Sequence, residues 1–205
     1  MTIKERLINE LKSNDGIIST KDALKLGINK YVLKNLKDKG IIVKIANGLY
    51  ALPNEEIDEY IYLTHRIPKG VFSHETAAYL NGLITRMPLV YVMTVVVGDN
   101  VTRVKSNRDD IVFKYVKKNI YELGREEALN PFGRKIFIYD KERTVLDLIK
   151  DKNRVDSDVF SESIKSYFFS KEKNLFKLYK YAKYMNMEKQ LKTYSEVLLW
   201  KVPSK

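Results

Sequence analysis

The chain has 205 residues, 44% of them hydrophobic, and Lys and Arg outnumber Asp and Glu by 37 to 26, which gives a net charge of +11. This composition provides enough apolar side chains for a core and excludes a disordered protein. Cysteine is absent, which excludes a disulfide framework, a thiolate metal site and a cysteine nucleophile. The opening residues lack the apolar run of a signal peptide, and no apolar stretch is long enough to cross a bilayer, so we expect a cytosolic protein.

The positive charge lies at the two ends of the chain. Residues 1–53 carry 10 Lys and Arg against 5 Asp and Glu, residues 54–152 carry 16 against 15, and residues 153–205 carry 11 against 6. The N-terminal excess suits a polyanionic partner, because neutralised phosphates release counterions and so favour binding. The C-terminal excess has no such direct interpretation, since lysines on helices usually form a solvated face.

Helical periodicity predicts three short helices and then a hairpin near the N-terminus. The helices are expected over about 3–13, 19–26 and 30–37. About three residues separate the second and third helices, the spacing that a helix-turn-helix requires. Asn47-Gly48 between two apolar runs is a strong signal for a β-hairpin. Together these elements predict a winged helix-turn-helix.

The third helix has the two faces that a DNA-recognition helix needs. Val32, Leu33 and Leu36 are predicted to pack inward, which turns the basic polar face outward. Lysines suit phosphate or guanine contacts, an asparagine suits an adenine edge, and the hydroxyls at the start of the second helix suit a phosphate. The predicted DNA-contacting residues are Ser19, Thr20, Lys21, Lys30, Tyr31, Lys34, Asn35, Lys37, Lys44 and Asn47. A winged domain used for protein contacts is the alternative, but motif, charge sign and wing together favour DNA.

Residues 54–205 are predicted to form a mixed α/β region that ends in helices, so the fold class is α+β. A connector helix is expected over 54–66, and another helix between Ser73 and Gly82. Runs of β-branched and aromatic residues predict three strands, and turns separate them. The strands are expected at 91–97, 111–116 and 135–139, the turns at 98–100 and 106–108, and the later helices at 143–149, 159–169, 175–185 and 188–200.

The chain has two histidines, His65 and His74, as candidates for acid–base or metal chemistry. His74-Glu75 follows Ser73 and resembles a general-base pair, but an acidic residue in a first helical turn is expected from the helix dipole alone. A single histidine in such a position is structural in most cases. His65 is isolated in sequence and adds no metal-ligand spacing.

Acidic residues after the last predicted strand were considered as a nuclease site. Asp140, Glu142 and Asp147 are the hard oxygen ligands that would hold Mg²⁺ at a strand end. Capping by Asp140 and an ion pair for Arg143 explain the same residues more simply. No phosphate-binding glycine loop, nucleophile elbow or zinc signature is present, so we predict no catalytic residue, metal or cofactor.

The tail interleaves aromatic residues with lysines. At helical spacing, such aromatics are interpreted mainly as core. Any exposed remainder would suit an acidic protein or a nucleic acid, and the sequence leaves both open. These aromatics are Tyr167, Phe168, Phe169, Phe176, Tyr179, Tyr181, Tyr184, Tyr194 and Trp200.

Four stretches resemble the AbiEi family of antitoxins, the regulatory half of bacterial abortive-infection toxin–antitoxin pairs. They are the end of the wing from Asn47 to Pro53, the Phe-Ser-His-Glu-Thr-Ala-Ala helix segment from Phe72 to Leu83, the strand that ends at Val97-Gly98, and the segment from Tyr139 to Leu148 that contains Glu-Arg-Thr. The wing is common among repressors, whereas the helix segment together with the Glu-Arg-Thr segment is more specific.

The resemblance implies a non-enzymatic protein of two domains. The winged domain, residues 1–53, would bind inverted repeats in its own promoter and repress the toxin–antitoxin operon. The antitoxin domain, residues 54–205 with the tail at 156–205, would neutralise a cognate nucleotidyltransferase toxin and so act in abortive phage infection. In some systems of the family no stable complex forms. The third helix has lysines and no arginine, which favours phosphate contacts over bidentate readout of guanine.

Two other functions stay open. One is a winged transcription factor whose C-terminal domain senses a ligand or mediates assembly. The other is the metal-dependent nuclease. A neighbouring nucleotidyltransferase gene would separate the antitoxin from the plain transcription factor.

Overall fold

The computed structural model describes residues 2–13, 16–105 and 108–199. The chain divides into two compact units: Met1–Pro68 with Phe132–Arg134, and Lys69–Pro131 with Lys135–Lys205. The first unit extends past residue 53, where the sequence places the domain boundary, and it takes in the segment predicted as a connector. Ser106, Asn107 and Trp200, on which a predicted turn and a predicted helix end fall, lie outside the described residues.

The first unit contains a winged helix-turn-helix, as predicted. A three-stranded antiparallel sheet of order β1-β3-β2 accompanies its helices. Strand β1 follows the first helix and pairs with the second strand of the wing. The elements are α1 (Ile3–Ser13), β1 (Ile17–Ser19), α2 (Thr20–Lys25), α3 (Lys30–Asp38), β2 (Val43–Ala46), β3 (Leu49–Ala51) and α4 (Glu59–Arg66).

Caps and a small core explain why these short helices form. The side chain of Asn29 accepts a hydrogen bond from the Val32 backbone at the start of α3. Gly40, with φ at 69°, lets the chain leave that helix in the left-handed conformation. One buried apolar cluster joins the helices to the strands, and it consists of Leu7, Leu11, Ile18, Ala23, Ile28, Leu33, Leu36 and Ile42.

The second unit combines a mixed five-stranded sheet with helices. The strand order is β6-β5-β4-β8-β7, with parallel pairing for β5–β6 and β4–β8 and antiparallel pairing for β4–β5 and β7–β8. Its elements are β4 (Val71–Phe72), α5 (His74–Leu80), β5 (Tyr91–Val96), α6 (Thr102–Lys105), β6 (Ile111–Val116), α7 (Lys118–Tyr121), β7 (Arg125–Leu129), β8 (Lys135–Tyr139), α8 (Lys141–Lys150), α9 (Ser157–Phe169), α10 (Leu175–Tyr184) and α11 (Glu188–Leu199).

Strand β7 is the main element that the sequence does not predict. Its residues, Arg-Glu-Glu-Ala-Leu, lack the β-branched and aromatic side chains that favour strands. Tertiary contacts supply the preference instead, since the strand pairs with β8 along its whole length. Glu127 forms a 2.7 Å ion pair with Lys135 across the pair, and the guanidinium of Arg125 lies 4.0 Å from the ring centre of Phe137.

Helix α8 lies at the centre of the helical core. Apolar side chains of α5, α8, α9, α10 and α11 form one buried cluster, which includes Leu146, Phe168 and Leu178. The three helices predicted in the tail are therefore present and packed. Within the described part of the chain, no helix combines the length and the apolar character needed to cross a membrane.

The sequence predicts that most tail aromatics are core, whereas those that the structure describes are divided equally between the core and the surface. Of the eight that the structure describes, Tyr167 and Phe168 are buried, and Tyr181 and Tyr194 pack against the core half-buried. Four are exposed because they occur on both faces of their helices, and one face alone meets the core. The exposed aromatics are Phe169, Phe176, Tyr179 and Tyr184.

Candidate nucleic-acid interface

Helix α3 has a buried apolar side and an exposed basic side. Leu33 is fully buried and Leu36 is 8% exposed, as their spacing predicts, while Val32 is half-buried against the same core. The opposite side is open to solvent, and Tyr31 is 76% exposed there. This side contains all five residues predicted for DNA contact on the helix, namely Lys30, Tyr31, Lys34, Asn35 and Lys37.

The lysines of this exposed side differ in their partners. Lys37 forms a 3.2 Å ion pair with its neighbour Asp38, in which both side chains are exposed. No carboxylate among the described residues pairs with Lys30 or Lys34, which are one helical turn apart and so lie on the same side. Two cations at this spacing are available to an external polyanion without breaking any internal ion pair.

The residues at the start of α2 have internal roles. The Ser19 hydroxyl accepts from the Asp22 backbone at 3.0 Å and donates to the Asp22 carboxylate at 2.6 Å. The Thr20 hydroxyl donates to the Gly48 carbonyl at 3.2 Å. Hydrogen bonds from Lys25 and Ser19 hold the pKa of Asp22 below its usual value, so a negative charge lies beside this helix start. The geometry favours these internal hydrogen bonds over the predicted phosphate contact for both hydroxyls, whereas Lys21 is exposed.

The wing is tied to α2 at its turn. Gly48 has φ at 75°, and its carbonyl accepts from both the backbone nitrogen and the hydroxyl of Thr20. Lys44 on β2 and Asn47 at the turn are exposed. The hairpin therefore has a defined position within the first unit, and it presents one cation and one amide to solvent.

The acidic residues considered as a nuclease site are occupied by internal partners. Asp140 caps α8 by accepting from the Arg143 backbone at 2.7 Å, and it pairs with Lys177 at 3.0 Å. Glu142 also pairs with Lys177, at 3.2 Å, and accepts from the Tyr167 hydroxyl at 3.0 Å. Lys177 lies far away in sequence, and nothing in the local pattern around it indicated this role. Within the described residues, no group of three or more histidines and carboxylates is arranged to hold a metal ion.

The buried charges of this cluster shift the pKa values of their neighbours. Burial by itself would lower the pKa of Lys177, but the carboxylates of Asp140 and Glu142 outweigh it and hold the pKa above its usual range. Burial, and then the charge of Asp140, raises the pKa of Tyr181 to about 12. The lysine thus stays charged and the tyrosine stays neutral at physiological pH, which keeps the cluster paired.

Arg143 and Asp147 form the predicted ion pair in the core. The Arg143 side chain is fully buried, and its Nε donates to Asp147 at 2.9 Å. Its Nη1 donates to the carbonyls of Ile120 and Leu123 at 2.6 and 2.9 Å. Capping by Asp140 and this ion pair, the simpler explanation of the acidic segment, are both present.

His74 belongs to a buried polar chain. Its Nδ1 lies 3.0 Å from the Ser73 hydroxyl and its Nε2 lies 3.5 Å from Asp151, which also pairs with Lys114. The Thr94 hydroxyl donates to Ser73 at 2.9 Å. Serine, histidine and aspartate are the residue types of a hydrolase triad, but the Ser73 side chain is fully buried and no substrate reaches it. A structural role, which the sequence favoured for this histidine, agrees with the geometry.

Comparisons with known proteins support the winged unit. Residues 5–53 match the family model described as "Transcriptional regulator, AbiEi antitoxin", which confirms the resemblance to the AbiEi family over this segment. A search of curated proteins found no match.

The fold as a whole is similar to that of a solved structure. The crystal structure of the RV2827C protein from Mycobacterium tuberculosis has a TM-score of 0.63, with 11% sequence identity, and the similarity covers 100% of this chain and 83% of that chain. At this level of identity the similarity shows the fold alone.

Proposed function

We propose that this chain is the antitoxin and autoregulator of a bacterial toxin–antitoxin pair. Its winged helix-turn-helix binds inverted repeats in its own promoter, and the second unit neutralises a nucleotidyltransferase toxin in the cytoplasm, as part of defence against phage. The observation that carries this proposal is the exposed side of α3, where Lys30 and Lys34 pair with no carboxylate of the described residues, within the segment that matches the regulator and antitoxin family.

The apolar and the charged side chains of α3 lie on opposite sides of the helix. Its apolar side packs into the core of the first unit, and its lysines lie on the other, exposed side. Unpaired cations on an exposed helix next to a wing match the electrostatic and geometric requirements of duplex binding. Phosphate contacts by lysine position the domain, and Asn35 is the residue suited to read a base edge.

A gel-shift titration on the DNA upstream of the operon tests the DNA-binding part. We expect Lys30→Ala with Lys34→Ala to weaken binding at least tenfold. The slope of log affinity against log salt should fall by about 1.8, because each lost phosphate contact removes about 0.9.

A matched control removes the same net charge elsewhere. Lys180 and Lys183 are exposed on α10, and no carboxylate among the described residues pairs with them. Lys180→Ala with Lys183→Ala should leave promoter affinity within about twofold of the wild type. Equal losses for both double variants would show that net charge, and not α3, determines binding.

Growth after induction of the neighbouring toxin gene tests the antitoxin part. Because the first unit includes residues up to Pro68 and 132–134, full-length variants are preferable to a truncation at residue 53. We expect the Lys30→Ala/Lys34→Ala variant to rescue growth as well as the wild type does. If the wild type itself fails to rescue growth while it still binds the promoter, the chain is a plain winged regulator.

A further inference from the structure

Helix α10 has an exposed side that carries aromatic rings and lysines. Leu178 and Ala182 are buried in the helical core, while Lys177 and Tyr181 contact Asp140 at 3.0 and 3.1 Å. The residues on the remaining side recur every three or four positions, so they lie together along the helix. This side, called here the α10 face, consists of Phe176, Tyr179, Lys180, Lys183 and Tyr184, all of which are exposed.

The rings of the α10 face are open to solvent. Phe176 is 84% exposed, and Tyr184 is also exposed. Among the described residues, no other ring and no cation stacks on either of them. The Tyr179 hydroxyl shares a 2.8 Å hydrogen bond with Ser195 of α11, which holds this ring in place although it is 41% exposed. Single exposed apolar side chains are ordinary, but three rings on one side of one helix indicate a contact surface.

The α10 face is cationic and contains no carboxylate. Helix α10 has three lysines and no Asp or Glu, whereas α9 and α11 each contain both lysines and carboxylates. Lys177 pairs with buried carboxylates, but no carboxylate of the described residues pairs with Lys180 or Lys183. On α11, by contrast, the exposed Lys192 pairs with Glu196 at 3.4 Å. The charge of the α10 face is therefore left for an external anion.

Rings and cations alternate along the α10 face. Lys180 follows Tyr179 directly and Lys183 precedes Tyr184, and the face is about 12 Å long at a rise of about 1.5 Å per residue. A single-stranded nucleic acid offers the matching groups, because each unstacked base can lie on a ring while its phosphate meets a lysine. An apolar protein surface would bury two lysines without a counter-charge, which is costly. An acidic peptide would pair with the lysines but has no flat group for the rings.

We propose that the α10 face binds single-stranded nucleic acid, with bases stacked on the rings of Phe176 and Tyr184 and phosphates held by Lys180 and Lys183. RNA and DNA share this chemistry of unstacked bases joined by phosphates. The site would be a second nucleic-acid surface, on the other unit from α3, and it does not depend on the antitoxin function proposed above.

Fluorescence anisotropy with the full-length protein tests this site. The probes are a short labelled single-stranded RNA, the single-stranded DNA of the same sequence, and the promoter duplex. Phe176→Ala should raise the Kd for the single strands about fivefold or more, the lower limit for the loss of one stacked base. Lys180→Ala with Lys183→Ala should lower the slope of log affinity against log salt by about 1.4, because each phosphate contact of a single strand contributes about 0.7. The strand that binds more tightly identifies the sugar that the site prefers.

Four control variants separate stacking from apolar contact and from net charge. Phe176→Trp keeps a flat ring and should bind the single strands as the wild type does, whereas Phe176→Leu should lose affinity as Phe176→Ala does. Leu89→Ala removes another side chain that is 84% exposed, outside α10, and should have no effect. Lys30→Ala with Lys34→Ala removes the same charge from α3 and should change the Kd for the single strands by no more than about twofold, although it weakens promoter binding.

Other outcomes overturn the proposed site in distinguishable ways. Wild-type affinity of Phe176→Ala for both single strands would show that the ring does not stack on a base. Full affinity of Phe176→Leu would indicate an apolar protein contact, and if the α10 variants change only self-association in sedimentation, the occupant is a second copy of this chain. Equal losses from the α3 and α10 double-lysine variants would show that net charge alone determines binding. If the wild type binds the single strands but not the promoter, the proposed function fails and the α10 site stands.

Discussion

Lysine and carboxylate side chains have opposite roles in two regions of this protein. On α3 the lysines at positions 30 and 34 are exposed and have no partner among the described residues, so we expect them to contribute little to the stability of the fold. Around α8 the carboxylates of Asp140 and Glu142 are buried, and the half-buried Lys177 pairs with them at 3.0 and 3.2 Å. The charges paired inside the fold stabilise it, whereas the exposed lysines of α3 are the ones that we propose for DNA binding.

The largest effect is expected from breaking the buried Arg143–Asp147 pair. Arg143→Met should reduce the free energy of unfolding by about 3–5 kcal/mol, because Asp147 is left as a buried charge without a cation. Urea denaturation followed by circular dichroism measures this change. Adding Asp147→Leu should recover part of the loss, and no recovery would show that the unpaired carboxylate is not its cause.

A methyl group at Gly124 tests how closely Arg143 and Asp140 pack against this glycine. A Cβ there would lie 2.6 Å from the Arg143 Cβ and 3.0 Å from the Asp140 carboxylate oxygens. Gly82 has a similar φ, 69° against 74°, but no atom lies within 4 Å of the added group. Both alanine variants carry the left-handed cost of about 1–2 kcal/mol, and Gly124→Ala should lose about 1–3 kcal/mol more through overpacking. Equal melting curves for the two variants would contradict the close approach.

The Asp151 carboxylate should make stability depend on pH in the acid range. Its hydrogen bonds with His74 and Lys114 hold its pKa below the usual value. The pKa of Asp151 is lower in the folded chain than in the unfolded chain, where it is about 3.9. The ionised carboxylate therefore stabilises the fold above about pH 3.9, and this stabilisation is lost as the pH falls below that value. We therefore expect Asp151→Asn to have a smaller free energy of unfolding than the wild type at pH 7, and we expect this difference to narrow below about pH 4. Urea titrations of both proteins at pH 7, 4 and 2.5 measure the two free energies. A difference that stays constant across these pH values would contradict the prediction.

The smallest effect on stability is expected from the lysines of α3. Lys30→Ala with Lys34→Ala should change the free energy of unfolding by no more than about 0.5 kcal/mol, because both side chains are exposed and neither pairs with a carboxylate that the structure describes. The same urea experiment as for Arg143→Met gives a direct comparison of the two regions. A loss of several kcal/mol would mean that these lysines contribute to the fold and would weaken the case for a binding surface.

Most regular elements were predictable because their signals are local. The strands β5, β6 and β8 and the helices from α8 to α11 lie where periodicity and β-branched runs place them. The wing follows from Asn47-Gly48, and the basic side of α3 follows from its apolar spacing. Two residues of the candidate interface, Ser19 and Thr20, were less predictable, since their hydroxyls are occupied by Asp22 and by the wing turn.

Other features depend on residues that are distant in sequence. Strand β7 has no local preference for strand and depends on β8 for its hydrogen bonds. The partnership of Asp140 and Glu142 with Lys177 joins residues more than thirty positions apart, and no pattern along the chain indicates it.

The sequence by itself determined the winged helix-turn-helix, the α+β class and the exposed basic side of α3, because periodicity and capping act within a few residues. Tertiary structure decided which charges are neutralised inside the fold and which stay available. That outcome depends on distances of a few ångströms between side chains that folding brings together, and these distances cannot be inferred from the sequence alone.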